Sequence, residues 1–405
     1  MQDTPTLKPN LLSGAERTDA AYSLSQNKEH RFSIMASIRP VKFGVIGCGN
    51  ISNAYFSATK KYPVLQVAAC ADIDLARARA KAEEHGVAKA CTPEELLADP
   101  EIEVVINLTI PVAHFSVCKA ALEAGKHVHV EKPLSITRAQ GKELVDLARA
   151  KGLRLGCAPD TFLGGGHQTC RKLIDDGWIG RPVAASATML CHGHESWHPA
   201  PEFYYKAGGG PMFDMGPYYL TALVNLLGAF RRITGSTQTT FPERKITSQP
   251  LNGTVVTVDV PTHIAGVMDF ANGAVGTIVT SFDVYPDQAF SPIVIYGTEG
   301  TLAVPDPNGF GGPVRFKGKR DKEFKEVPLT HGHTEQGRGI GAADIAYAIQ
   351  TGRPHRANGD LGYHVLEAMW AFHEASDSGT HYNMTSTVER PAPLRADLPE
   401  DELDA

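Results

Sequence analysis

Apolar residues in the first part of this chain gather in short runs that alternate with segments of helix-forming composition. Val41–Gly47, Leu65–Ala71, Val104–Leu108 and Leu153–Cys157 are mostly apolar and of strand length, and His127–Val130 reads as a further strand. Runs of this kind suit strands buried on both faces. Between them, Ile51–Tyr62, Asp74–His85, Val112–Ala124 and Thr137–Lys151 carry good helix formers, and Gly125 and Gly152 stand where helices end. Thr92-Pro93-Glu94-Glu95 places a cap residue, a proline at the first helical position and a glutamate three residues beyond the cap, which predicts another helix start. Repeated strand–helix alternation over residues 41–158 predicts a parallel sheet with helices on both faces.

From residue 159 the pattern changes. A helix at Gln168–Asp176 leads into strand-like Pro182–Cys191, a Gly/Pro-rich loop and a helix at Tyr218–Leu227. The β-rich runs Gly253–Val260, His263–Phe270, Ala274–Phe282 and Pro292–Tyr296 predict one large, mostly antiparallel sheet. Helices near Gly339–Thr351 and Asp360–Ser378 complete an α+β domain over residues 159–385. The fold class is therefore α/β, with an N-terminal nucleotide-binding type of sheet and a C-terminal α+β domain. Residues 1–40 are polar and aperiodic and predict a disordered leader, in which Met35 offers an alternative start. The acidic, Pro-rich segment 386–405 predicts a loose tail.

Composition narrows the partners. A net charge of −6 without a basic stripe argues against nucleic acid. No apolar stretch reaches the roughly 18–20 residues of a membrane helix, and the N-terminus has no apolar signal core. The 7 cysteines are scattered singly with no C-x-x-C pair, which predicts a reduced, cytoplasmic chain and no metal site.

The first candidate chemistry is Gly47-Cys48-Gly49-Asn50-Ile51-Ser52, a G-x-G-x-x-S turn between the first strand and the first helix. Gly47 permits the tight turn and Gly49 lets the backbone approach a diphosphate, while the helix N-terminus presents N–H donors at Asn50 and Ile51. Ser52 stands where a third glycine or alanine is usual. Asp72 ends the second strand, where an acid binds ribose hydroxyls and repels a 2′-phosphate, so NAD is expected ahead of NADP.

Gly125-Lys126-His127-Val128-His129-Val130-Glu131-Lys132-Pro133 ends a strand in Glu-Lys-Pro. With the Thr109-Ile110-Pro111 turn, His114 and the Gly208-Gly209-Gly210 segment running to Asp214 and Gly216, it resembles the Gfo/Idh/MocA family of sugar and polyol oxidoreductases, from Val41 to about Met384. The resemblance implies a Rossmann domain, a cis bond before Pro133, and Thr109, His114 and Glu131 near the cofactor. It implies Lys132 beside the reacting carbon, with Asp214 and residue 218 completing the catalytic set. The family usually has histidine four residues after the aspartate; here Tyr218 stands there, and Lys132 is expected to lower its pKa so that it accepts the hydroxyl proton. The family's polar pair after the last Rossmann strand is replaced by Pro159-Asp160-Thr161-Phe162, which leaves Asp160 as a candidate substrate contact. A homodimer or homotetramer, through the open face of the second sheet, is a further implication.

Cys191-His192-Gly193-His194-Glu195-Ser196-Trp197-His198-Pro199 contains a literal H-E-x-x-H, but Gly193, Pro199 and Pro201 disfavour the helix that a zinc site requires. It is expected to be a carbohydrate loop, with Trp197 stacking on a sugar ring and His192, His194, Glu195 and His198 bonding hydroxyls. The reading that emerges is an NAD-dependent oxidoreductase acting on a hydroxyl of a sugar, polyol or glycoside. One alternative is a glycoside hydrolase that oxidises the ring transiently, drawing extra acid and base groups from this loop. Another is a non-enzymatic nucleotide sensor.

Overall fold

Six strands, β1 (Val41–Ile46), β2 (Leu65–Ala71), β3 (Lys89–Cys91), β4 (Val104–Asn107), β5 (His127–Val130) and β6 (Leu155–Cys157), form one parallel sheet in the order β3-β2-β1-β4-β5-β6 in the computed structural model. The structure describes residues 38–286, 291–335 and 337–404. The expected leader up to residue 37 and the alternative start at Met35 lie outside the described residues.

Val41, Phe43 and Val45 on the central strand β1 are fully buried, because helices cover both faces of the sheet. The connecting helices are α1 (Ser52–Lys61), α2 (Leu75–His85), α3 (Pro93–Ala98), α4 (Pro111–Glu123) and α5 (Arg138–Ala150). Asp74 caps α2 by accepting from the N–H groups of Ala76 and Arg77, and Thr92 and Glu95 form the expected capping box on α3. The strand order reverses between β1 and β4. A crevice at the carboxyl ends of strands at such a reversal is where ligands bind in this class of sheet. Gly47 and Thr109 flank that crevice, and Glu131-Lys132 lies one strand further along.

The second sheet has nine strands in the order β16-β15-β14-β13-β7-β12-β11-β8-β17. They are β7 (Pro182–Leu190), β8 (Phe230–Gln238), β11 (His263–Phe270), β12 (Val275–Ser281), β13 (Ile293–Gly297), β14 (Gly300–Val304), β15 (Val314–Gly318), β16 (Lys325–Val327) and β17 (Tyr382–Asn383). All neighbours run antiparallel except β7 and β12. One run expected in this sheet is elsewhere. Within Gly253–Val260, β10 (Val255–Thr257) pairs only with β9 (Glu243–Lys245) as a separate hairpin. The Asp259 N–H next to it donates to the Tyr205 carbonyl at 2.9 Å, tying the hairpin to the substrate loop instead.

Four more helices belong to this half: α6 (Gly165–Asp175), α7 (Gly210–Asp214), α8 (Gly216–Leu227) and α10 (Gly359–Ser378). Phe372 of α10 presses on the sheet so closely that a side chain at Gly266 of β11 would meet its ring at 2.5 Å. On the opposite face Val275 and Tyr296 are exposed. Both pair with Ala184 of β7, so they flank it on either side. Helix α9 (Ile340–Thr351) and the turn after it come back to the first sheet, where the Cys157 N–H of β6 donates to the Ala357 carbonyl at 2.9 Å. The chain from Pro40 to Asp404 is one compact unit.

The tail is docked rather than loose. Leu394, Leu398 and Leu403 are buried, the Leu394 N–H donates to Gln168 Oε1 at 2.8 Å, and Asp404 pairs with Arg356 at 2.5 Å. Three leucines spread through a polar segment escape a composition argument, yet each removes apolar area from water when the segment lies down.

Candidate active site

The nucleotide turn is built as its residues require. Gly47 has φ +102°, and a Cβ there would lie 2.6 Å from the Leu108 carbonyl carbon, so only glycine fits between β1 and β4. Gly49 faces open space. Ser52 is buried and bonds its hydroxyl to the Gly49 carbonyl at 2.6 Å, so the serine fastens the loop that a small third residue would simply admit. The first turn of α1 has no acidic residue, and no side chain caps it. Its positive end thus meets a diphosphate without a competing acid. Asp72 accepts from the Cys48 N–H at 2.9 Å and the Asp74 N–H at 2.9 Å, which fixes the carboxylate at the end of β2. These features fit NAD.

Arg77 approaches Asp72 at 3.5 Å from α2. Replacing Asp72 by serine is expected to lower the preference for NADH over NADPH about tenfold. One charge beside a phosphate carries about 1 kcal/mol or more, and removal of the acid leaves Arg77 free to face it. Fluorescence titration of both reduced cofactors measures this, and an unchanged ratio would remove Asp72 from cofactor selection.

Around the nicotinamide end the predicted residues divide. Thr109 bonds its hydroxyl to Asn107 Oδ1 at 2.7 Å. His114 is buried, with its ring nitrogens 2.7 Å from the Pro133 carbonyl and 3.0 Å from the Thr109 carbonyl. It was expected at the cofactor, and it ties the turn after β4, which flanks the crevice, to the turn after β5. The Lys132–Pro133 bond is cis, as the resemblance implies. Glu131 accepts from the Tyr55 hydroxyl at 2.8 Å. Tyr55 lies one turn into α1 and links the nucleotide helix to the reacting end; nothing in the sequence pattern separates it from an ordinary core tyrosine.

Lys132 donates to both the carbonyl oxygen (2.7 Å) and Oδ1 (2.8 Å) of Asp214, which joins β5 of the first domain to α7 of the second. Burial would lower the lysine pKa, but the Asp214 carboxylate and the nearby Tyr218 and Glu131 outweigh it and the net shift is upward. Burial likewise pushes Asp214 up, yet Lys132 and His194 overcome it and hold the carboxyl well below the usual range. Lys132 is therefore an ammonium and Asp214 a carboxylate at neutral pH.

Tyr218, buried at the start of α8, has the Lys132 ammonium 5.2 Å from its ring centroid and the Arg338 guanidinium 5.6 Å from it. The expectation of a lowered tyrosine pKa is wrong. Burial raises it, and Lys132 and Arg338 do not compensate. The phenol stays protonated at neutral pH, a hydrogen-bond donor rather than a base. Arg338, which also donates to Asn308 at 2.8 Å, is a site residue that the sequence reading missed. Its place between two glycines, just before α9, was the available signal.

Asp160 is not a substrate contact. It is buried, and its Oδ2 accepts from the Gly339 and Gly341 N–H groups at 2.9 and 3.0 Å, capping α9. Burial raises its pKa to about 6 despite these bonds.

The histidine loop is equally divided. His194 lies 3.5 Å from Asp214 Oδ2. Glu195 turns away to pair with Arg244 at 3.0 Å, and Arg244 also pairs with Asp283. His192 stacks on Tyr285 with ring centroids 3.8 Å apart. His198 accepts from the Ala200 N–H at 3.0 Å and packs edge-on to Phe203 and Tyr204. Trp197 is 61% exposed with its edge against His194, leaving a wide indole face at the mouth of the site. Of the expected substrate residues, the structure gathers Lys132, Asp214, Tyr218, His194 and Trp197, and turns His192, Glu195 and His198 to other partners. Among the described residues no group of three or more His, Cys, Asp or Glu could hold a metal.

Two family profiles match. Residues 41–158 match the oxidoreductase family with the NAD-binding Rossmann fold, and residues 167–303 match the Gfo/Idh/MocA C-terminal domain. The 1,5-anhydro-D-fructose reductase of Ensifer adhaerens is 33% identical over 179 residues, 43% of this chain and 53% of that protein, so the chain spans about half of this relative. The levoglucosan dehydrogenase of Pseudarthrobacter phenanthrenivorans is 28% identical over 286 residues, 64% of this chain and 72% of that one. An NAD-binding oxidoreductase from Klebsiella pneumoniae superposes with TM-score 0.75 at 25% identity, covering 85% of this chain and 98% of its own. A levoglucosan dehydrogenase solved with NADH shares the fold, with TM-score 0.76 at 24% identity, over 86% of this chain and 100% of its own. With both halves matched in order over most of the folded chain, the protein belongs to the Gfo/Idh/MocA family of NAD-binding oxidoreductases.

Proposed function

We propose that this protein moves a hydride between NAD and a hydroxyl-bearing carbon of a sugar, polyol or glycoside. The observation that carries the reading is the Lys132–Asp214 pair beside Tyr218, held where the nucleotide sheet meets the second domain. NAD, when bound, supplies the hydride acceptor. Lys132 offers a fixed positive hydrogen-bond donor to the reacting oxygen. As hydride leaves the carbon, the O–H proton passes to Lys132 while Lys132 passes one of its own to the Asp214 carboxylate 2.8 Å away, and reduction is the reverse. Asp214 keeps that donor charged and aimed. Tyr218 adds a neutral O–H donor. Trp197 presents an aromatic face of the kind that packs on the apolar side of a sugar ring, and the names of the two sugar-acting relatives point to the same substrate class. Assembly of copies through the open sheet face around Val275 and Tyr296 belongs to the same reading, as does a reducing compartment for seven free cysteines.

Transient ring oxidation with glycosidic cleavage needs an acid and a base beyond the hydride centre. Glu195, His192 and His198, which the loop was expected to offer, are engaged elsewhere. The deciding assay uses limiting NAD with free sugars, polyols and glycosides, following NADH and products together. One NADH per keto or lactone product is the expected result. Aglycone release far beyond the NAD present would replace this reading with the hydrolytic one.

A further inference from the structure

Within the Cys191–Pro199 loop, neither metal binding nor the sugar contact given to Trp197 accounts for His194 and Glu195. The loop's geometry is two-sided. Gly193 has φ +78°, and a Cβ there would lie 2.1 Å from Glu195 Oε2 and 2.5 Å from the Tyr205 hydroxyl, so only glycine lets the glutamate fold beneath the loop. Glu195 then meets Arg244, whose guanidinium also donates to the Phe282 carbonyl at 3.0 Å and pairs with Asp283. The Glu195 carbonyl accepts from the Thr247 and Ser248 N–H groups at 3.0 and 2.9 Å. This anchorage sends the next side chain the other way. His194 is buried against Tyr204, Phe282 and Trp197, and its Nε2 faces Asp214 Oδ2 at 3.5 Å. Among the described residues no other polar group partners that nitrogen.

We infer that His194 is a positioning residue of the hydride-transfer centre, whose Nε2–H steadies Asp214 Oδ2 so that Oδ1 stays aimed at Lys132, with Glu195–Arg244 as the strap that holds the imidazole in place. The inference rests on the function proposed above. Asp214 is then bracketed, with the Lys132 ammonium on one oxygen and the imidazole on the other. Tyr218, Tyr204, Cys191 and His198 are further titratable side chains whose charge bears on it. A carboxylate held at one oxygen only can swing about its side-chain torsion, and a small error in the lysine position is costly in a hydride centre. His194 thus acts on the chemistry through Asp214, while Trp197 of the same loop is the part that meets the sugar.

Two measurements test this. Nitrogen-15 NMR of the cofactor-free wild type, with the His194 signal assigned from His194→Gln, is expected to show the Nε2–H form at neutral pH; the Nδ1–H form overturns the inference. In steady-state kinetics, His194→Phe fills the aromatic cage without an N–H. It is expected to lower kcat about tenfold to a hundredfold with sugar KM and NAD Kd within about twofold, while His194→Gln, which keeps a donor, stays within about threefold of wild type. Unchanged kcat in His194→Phe, a rise in KM alone, or equal losses in both variants overturns it. A wild type that oxidises no sugar would defeat the proposed function instead, and the NMR result would still decide the role of His194.

Discussion

Lys132→Met is expected to bind NAD with near wild-type affinity and to lose about a thousandfold in kcat. Methionine keeps the length and the apolar stem of lysine, but it removes the one ammonium that the structure fixes at the reacting end of β5, bonded at 2.7 and 2.8 Å to Asp214. Loss of a preorganised donor facing a developing oxyanion typically costs about 10²–10³ in rate, and here the proton path is disturbed as well. The substitution also leaves the Asp214 carboxylate half-orphaned, so a stability effect must be separated from a catalytic one. Lys132→Arg makes the separation, because a guanidinium preserves the ion pair but presents its donors in a planar fork of different reach. The arginine variant is expected to regain wild-type stability with little recovery of turnover. Calorimetric NAD titration, thermal melts and stopped-flow NADH formation on both variants check this. Turnover within about threefold of wild type in the methionine variant would remove Lys132 from the chemistry.

Asp344→Ala is expected to cost about 3–5 kcal/mol of stability. Asp344 is fully buried in α9 and accepts from Arg353 at 2.7 Å, from Arg356 Nη1 at 2.6 Å and from the Arg356 N–H at 2.5 Å. Removing it strands two guanidinium groups, one of them nearly buried, and loosens Arg356 from the position in which it pairs with Asp404 of the tail. The loss thus reaches from α9 to the docked C-terminal segment. Burial alone would raise the Asp344 pKa, but Arg356 and Arg353 outweigh it and the folded value lies below the ordinary one. The unfolded carboxyl binds a proton near pH 3.9. Its contribution is therefore complete above that pH and falls away as the pH drops through the lower folded value. Urea unfolding at pH 7 should show the full deficit of the alanine variant, and at pH 3 a smaller one. Equal deficits at both values would mean that the aspartate acts through packing rather than charge.

The first sheet was legible because its signals are local. Short apolar runs, a capping box at Thr92 and Glu95, and the glycines of the nucleotide turn each act within a few residues. The second domain was less so. Strands β14 to β17 are short and carry no distinctive pattern, and the Val255–Thr257 run has strand composition but pairs outside the large sheet. Its partner is chosen by where the chain folds, which periodicity does not encode.

The sequence by itself determined the nucleotide-binding half, where only glycine fits at Gly47, and its resemblance to the Gfo/Idh/MocA family supplied the cis-proline turn carrying Lys132 and Asp214 as its distant companion. Tertiary structure alone decided what surrounds them. Tyr218 has its pKa raised rather than lowered, because burial outweighs the lysine charge. Asp160 caps a helix that is contributed from almost the far end of the chain. Of the four side chains in the histidine loop expected to bond hydroxyls, His194 faces Asp214, while His192, Glu195 and His198 take other partners. Burial and the choice of partner depend on segments far apart in the chain, and so they become fixed only when those segments pack.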